Sequence, residues 1–218
     1  MNASNLFLTK RAVLGAALAV ALNFGAPAMA ADASAPDLLI RQLSLETLEA
    51  VKADKSIQAG DLQKIIALVD TKVMPHVNFQ RMTASAVGRF WRQATPEQQK
   101  RLQDEFKTLL VRTYAGALTQ VKDQTIALRP LRASAEDTEV VVRTEIRGKG
   151  DPIQLDYRLE KKGSGVWMIF DVNVLGIWLA DQYRNSFAQE IGANGIDGLI
   201  KTLADKNQKA AGGAAAKA

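Results

Sequence analysis

Val166, Met168, Phe170, Val172 and Val174 alternate along one side of an extended stretch, and Trp167, Ile169, Asp171 and Asn173 occupy the other. A strand with one wet face reads as apolar-in, polar-out. This one carries apolar bulk on both sides. Gly176 then interrupts, and Ile177, Trp178 and Leu179 pass before any polar residue returns. Just upstream the alternation is cleaner. Val140, Val142, Thr144 and Ile146 oppose Arg143, Glu145 and Arg147, and Ile153, Leu155, Tyr157 and Leu159 oppose Gln154, Asp156, Arg158 and Glu160. The glycine-rich segments 148–152 and 161–165 separate these runs as turns. A further short strand over Thr125 to Arg132, with Pro130 marking an edge or a bend, makes a meander of four antiparallel strands.

The first half of the chain has a helical period instead. Leu38, Leu39, Leu43, Leu48 and Val51 follow Pro36, and Leu62, Ile65, Ile66, Val69 and Val73 follow the break at Gly60-Asp61. The second of these helices is expected to end at Met74-Pro75-His76. Asn78 suits the cap of a third, Phe79 to Trp91. Thr95-Pro96-Glu97-Gln98 is a capping box with Pro at the first helical position, opening a long helix that runs to Val121. Two more helices are expected after the strands, Trp178 to Glu190 and Gly195 to Lys206. Helices, then a sheet, then helices indicate an α+β fold. The expectation is helices packed on a curved, mainly antiparallel four-stranded sheet, an NTF2-like cone. Its apolar inside is either a packed core or a cavity.

Composition narrows this picture. Lys10 and Arg11, the apolar run Ala12 to Phe24 and Ala28-Met29-Ala30 read as a cleavable export signal over residues 1–30. A single domain is then expected over 31–208 and a disordered Ala/Gly-rich tail over 209–218. No cysteine is present, which removes disulfides and a lipidated N-terminus. The periplasm is the expected location. The net charge of +5 falls once the basic leader is removed, and the remaining charges are mixed along the chain. That is no nucleic-acid stripe.

Missing chemistry is equally informative. One histidine and no cysteine cannot assemble the usual zinc sets. No G-x-S-x-G or phosphate-binding loop occurs. The remaining enzymatic reading is acid/base chemistry on a hydrophobic substrate by Asp171, with Tyr157, or by His76. Against it, Asp171 fits a cap or an ion pair with an arginine such as Arg184. A plain interaction domain with a filled core is a third possibility, with Arg89, Arg92 or Arg184 meeting partners or simply solvated.

Two groups of residues carry a family resemblance. The first is Pro75-His76-Asn78-Phe79, Arg81-Met82, Gly88-Arg89-Phe90-Trp91-Arg92, Thr95-Pro96-Glu97-Gln98 and Leu109-Leu110-Arg112-Thr113-Tyr114. The second is Trp167, Phe170, Asp171, Val172, Gly176, Tyr183, Arg184 and Phe187. Together they resemble the MlaC, or toluene-tolerance auxiliary, family over nearly all the chain to about Leu203. Asn78 departs from the Asp common there, and Trp178 from a small polar residue. The resemblance implies a periplasmic phospholipid carrier without catalytic activity or cofactor. It further implies that a monomer moves diacyl phospholipid between an outer-membrane lipoprotein complex and an inner-membrane ABC transporter with an MCE-domain subunit, preserving outer-membrane lipid asymmetry.

Such a role requires surplus apolar surface. About thirty methylenes would cost roughly 24 kcal/mol to leave in water, at ~0.8 kcal/mol each. The expected lining is Val73, Phe106, Leu110, Tyr114, Val142, Leu155, Tyr157, Met168, Phe170, Val172 and Val174. In this reading Met168, Phe170, Val172 and Val174 share one face toward the cavity, and Trp167 and Ile169 pack under a covering segment.

Overall fold

The computed structural model describes residues 35–134 and 136–215. The export signal over residues 1–30 and the last three residues of the expected tail lie outside them. Helix α1 is Pro36–Ala53, with the ring of Pro36 at its start and Ile40, Leu43 and Val51 forming its buried stripe. The carboxylate of Asp54 accepts from the amides of Ser56 and Ile57 and so starts a short α2, Lys55–Gln58. Asp61 caps α3, Leu62–Leu68, in the same way. The chain then widens into a π turn, Val69–Val73, and tightens into a 3₁₀ turn, Met74–His76. The sequence predicts one regular helix to Val73, but the α pattern stops at Leu68. Pro75 has no amide to continue it.

Asn78 caps α4, Phe79–Val87, through its side-chain oxygen on the Arg81 amide. Gly88, at φ 65°, ends that helix in a backbone conformation that L side chains rarely adopt, so the predicted stretch to Trp91 is 3₁₀ from Gly88 to Gln93. The capping box at Thr95 is formed in both directions and opens α5, Pro96–Thr119.

The sheet comprises β1 (Thr125–Leu128), β2 (Glu139–Arg147), β3 (Ile153–Lys161), β4 (Trp167–Val174) and β5 (Ile177–Trp178), in that spatial order and antiparallel throughout. The predicted four strands are present. The fifth has two residues, too few for any periodicity to show. Helix α6 runs from Leu179 to Ala215, broken at Gly195, where φ is 73°. Its two arms are the two predicted helices. The second arm continues through 209–215, where the sequence reading places a disordered tail. The fold is therefore α+β.

Apolar side chains gather in three clusters. Helices α4, α5 and α6 hold one, built on Met82, Leu102, Phe106, Phe187 and Leu203. Ile40 and Leu43 of α1 meet Val140, Val142, Leu159, Trp167 and Ile169 of the sheet in another. Val51, Ile57, Ile65 and Leu68 make the third, against Val111, Ala115 and Leu118 of α5. Val77 and Val172 join the first two. Among the described residues no helix is long and apolar enough to cross a membrane.

Candidate functional site

Pairing register sets which side chains share a sheet face. Val142, Tyr157 and Val172 lie side by side across β2, β3 and β4. Thr144, Leu155 and Val174 form the next row, and Ile146 beside Ile153 the row after that. Ile177 stands opposite Val174 on the same face. Burial relaxes only at the end of this series. Val142 and Thr144 are buried, Tyr157, Val172, Leu155, Val174 and Ile146 are half-buried, and Ile153 and Ile177 are exposed.

Against this wall stand Ile40 and Leu43 of α1, which share a cluster with Val142, Tyr157 and Val172, and the helical cluster to which α5 contributes. Phe106 and Leu110 are buried, Tyr114 is half-buried, and Val172 and Val174 pack into their cluster. Phe106 is also boxed by aromatic rings, with Phe79 at 5.8 Å, Tyr183 at 5.1 Å and Phe187 at 5.3 Å between centroids. The polar groups in these rows, Thr144 and Tyr157, are satisfied locally. Thr144 Oγ1 donates to the Leu155 carbonyl. Removal from water pushes the Tyr157 hydroxyl up to about 12, opposed by hydrogen bonds with Ser44 and Thr144. Hydrocarbon can lie on such a wall, because no group on it has to give up an unreplaced hydrogen bond.

Three residues expected in the lining stand elsewhere. β4 carries a bulge: Leu159 pairs with Ile169 and Arg158 with Asp171, leaving Phe170 as the extra residue. A bulge reverses the in–out phase. Trp167 and Ile169 therefore face α1 before it, and Val172 and Val174 face the same side after it. The uninterrupted alternation that groups Met168 and Phe170 with Val172 and Val174 does not survive this shift. Met168 aligns with Glu160 on the opposite face. Phe170 lies beneath Arg81, whose guanidinium carbon is 3.6 Å from the ring centroid. Val73 is half-buried in the π turn, outside the three clusters.

On that opposite face Arg81 bridges Glu160 at 2.5 Å and Glu139 at 2.7 Å. The Asn78 amide donates to Glu160 as well. Burial alone would raise the Glu160 carboxyl, but hydrogen bonds from Lys162, Asn78 and Arg81 hold it at about 2. A concavity of about 440 Å³ lies here, lined by Arg132, Glu139, Arg143, Arg158 and Phe170. A second, of about 420 Å³, lies between α5 and the two arms of α6, against Leu109, Phe187, Leu199 and Leu203. Phe170 alone of the expected lining touches either.

Asp171, 1% exposed, receives the amides of Val172 at 2.9 Å and Ala180 at 3.1 Å. The second of these caps α6 from the neighbouring strand. Arg158, and not Arg184, pairs with it at 3.0 Å and stacks on Trp178 at 3.9 Å. Burial pushes its carboxyl up, while the two amides and Arg158 pull the other way. Tyr157 and Asp171 point to opposite faces of the sheet, since Tyr157 aligns with Val172 and Arg158 with Asp171. They share no site. His76 is half-buried in the 3₁₀ turn, and among the described residues no hydrogen bond orients its ring.

The arginine cover on Phe170 and the bulge have no local signal in the sequence. Arg81 and Glu160 are far apart along the chain, and a one-residue slip looks like any other alternation.

The profile of the family described as MlaC protein matches residues 41–205. The chain is 28% identical over 178 residues to the toluene tolerance protein ttg2D of Pseudomonas putida, covering 81% of this chain and 82% of that protein. It is 23% identical over 173 residues to the intermembrane phospholipid transport system binding protein MlaC of Haemophilus influenzae, covering 78% and 81%. A solved structure of a phospholipid-binding protein from Ralstonia solanacearum, in complex with a phospholipid, superposes with a TM-score of 0.77. It shares 45% identity and covers 80% of this chain and 98% of that one.

Proposed function

The chain belongs to the MlaC protein family, and from that premise we propose that it is a periplasmic carrier that binds a phospholipid by its acyl chains and transports it. The observation that carries this reading is the likeness to the Ralstonia solanacearum protein, 45% identical, whose structure holds a phospholipid. The half-buried rows Tyr157–Val172 and Leu155–Val174, set against Leu110 and Tyr114, supply the wall for those chains. Phe106 and Val142 back that wall from the buried side. Met168 and Phe170 serve the other face of the sheet.

Binding here needs no catalytic group. Acyl chains leave one apolar medium for another, so the hydrophobic free energy of the chains is nearly conserved in the transfer. The head group stays in water. The carrier then works between an outer-membrane lipoprotein complex and an inner-membrane transporter with an MCE-domain subunit, and so maintains lipid asymmetry. The support for those partners is the family's membership alone. Export by the leader over residues 1–30 places it between the two membranes.

The test is organic extraction of protein purified without detergent, followed by mass spectrometry. Stoichiometric phospholipid is the expected result. A protein that elutes free of lipid, or that returns hydrolysed lipid after incubation, overturns the carrier reading.

A further inference from the structure

The end of the sheet where β4 turns into β5 is built against the ordinary rules for a soluble surface. Val174 and Ile177 are paired, so Leu175 and Gly176 form a two-residue hairpin turn, and both have positive φ, 53° and 90°. Such turns favour Asn, Asp or Gly, whose small or absent side chains tolerate that conformation. Leu175 is the sole residue other than glycine with positive φ among the described residues. It is also 66% exposed. A residue that is strained and greasy in water serves the fold in neither respect.

Leu175 does not stand alone. Ile177 is 53% exposed and Ile153 is 46% exposed. The Leu175 amide donates to the Gln154 carbonyl at 3.1 Å, which fixes the hairpin beside the start of β3. Ile153 and Ile177 extend the same sheet face as Leu155 and Val174, so the apolar wall runs unbroken from its buried rows to this exposed end. Around it the surface is polar and of mixed charge, with Lys122 and Asp123 before β1 and Lys149 and Asp151 in the β2–β3 turn, all exposed.

We propose that this tip, Ile153, Leu175 and Ile177, is the contact the protein makes with the surface of a phospholipid bilayer, inserting at the level where head groups meet acyl chains. The assignment rests on the carrier reading, which brings the protein to complexes set in lipid membranes, where its open end meets the bilayer beside them. Size decides against a protein partner. Three aliphatic side chains on a hairpin turn fall well short of the roughly 1,000 Å² of a specific protein interface, whereas their hydrocarbon, about that of one short acyl chain, suits weak and reversible insertion at a bilayer surface. A mixed-charge rim suits zwitterionic head groups, and continuity with the wall gives acyl chains a path that stays out of water.

The experiment is co-sedimentation of the purified full-length mature chain with vesicles of phosphatidylethanolamine and phosphatidylglycerol, run alongside lipid extraction of the same preparations. Wild type is expected to pellet with the vesicles. Leu175→Asn combined with Ile177→Thr should reduce the bound fraction at least tenfold, and Leu175→Asn alone should leave co-purified phospholipid unchanged. Leu175→Asn alone, which places a residue suited to the turn, should fold at least as well as wild type and still bind several-fold less. Equal pelleting of wild type and variants, or no pelleting of wild type, overturns the proposal. So does loss of self-association or protein capture in the variants with vesicle binding intact. Wild type that pellets through this tip yet carries no extractable lipid leaves the tip standing and removes the carrier reading instead.

Discussion

Glu160 shows how one residue's identity depends on neighbours far along the chain. Asn78 does two jobs, accepting from the Arg81 amide with its oxygen and donating to Glu160 with its nitrogen. Aspartate in its place would cap equally well but would set a second carboxylate against Glu160. Asn78→Asp is therefore expected to cost about 1–3 kcal/mol in urea unfolding, the scale of a lost hydrogen bond to a charged group. The same cluster gives a pH dependence. The Glu160 carboxyl is held at about 2 in the folded protein against an ordinary 4.5. Its contribution is thus fully present above the ordinary value and is lost as pH falls toward 2. The wild-type unfolding midpoint should drop across that window, and Glu160→Gln should flatten the drop. Neither residue announced this pairing in sequence, since Gln154, Asp156, Arg158 and Glu160 read simply as a wet face.

At the scale of elements, length governs what was readable. The capping box and 24-residue span of α5 combine several agreeing local signals, and the helix forms where they place it. Thr95→Ala removes the side-chain oxygen that accepts from the Gln98 amide at 3.2 Å. It should cost about 1 kcal/mol, visible as a lower melting temperature with binding unaffected. Elements of two or four residues, such as β5 and α2, offer no period to detect and follow from Asp54 and Gly176 only in hindsight. The β4 bulge is harder still. Alternation from Val166 to Val174 is intact on paper, and only the pairing with β3 shows that the phase changes at Phe170. The two-sided apolar character of that strand has its explanation here: Trp167 and Ile169 close on α1, Val172 and Val174 lie on the same face against the cluster of α4, α5 and α6, and Phe170 lies on the other face under Arg81.

For the whole molecule, the division of apolar side chains among three clusters matters more than any single contact. One fully interlocked core would leave no surface for acyl chains. Here the sheet wall is buried or half-buried through the Val142 and Thr144 rows and becomes exposed at Ile153 and Ile177. A pair of substitutions distinguishes the two sheet faces. Val174→Asp on the wall should reduce extractable phospholipid at least fivefold, because a carboxylate would have to be desolvated beside the acyl chains. Met168→Asp, on the face shared with Glu160, should leave the lipid content near wild type. Quantifying phospholipid per mole of purified protein checks both, and equal loss in the two variants would mean the faces are wrongly assigned.

By itself the sequence determined the α+β order, the caps, the strand positions and the resemblance that leads to phospholipid. Each of these is written in spacing over short range, where backbone periodicity and capping chemistry act directly. Only the tertiary structure decided which apolar face looks inward, that Asp171 caps α6 and pairs with Arg158 away from Tyr157, and that Leu175 stands strained and exposed at the open end of the wall. Those outcomes depend on register between strands and on contacts across the chain, and a one-residue shift in pairing reverses a face without changing a single letter.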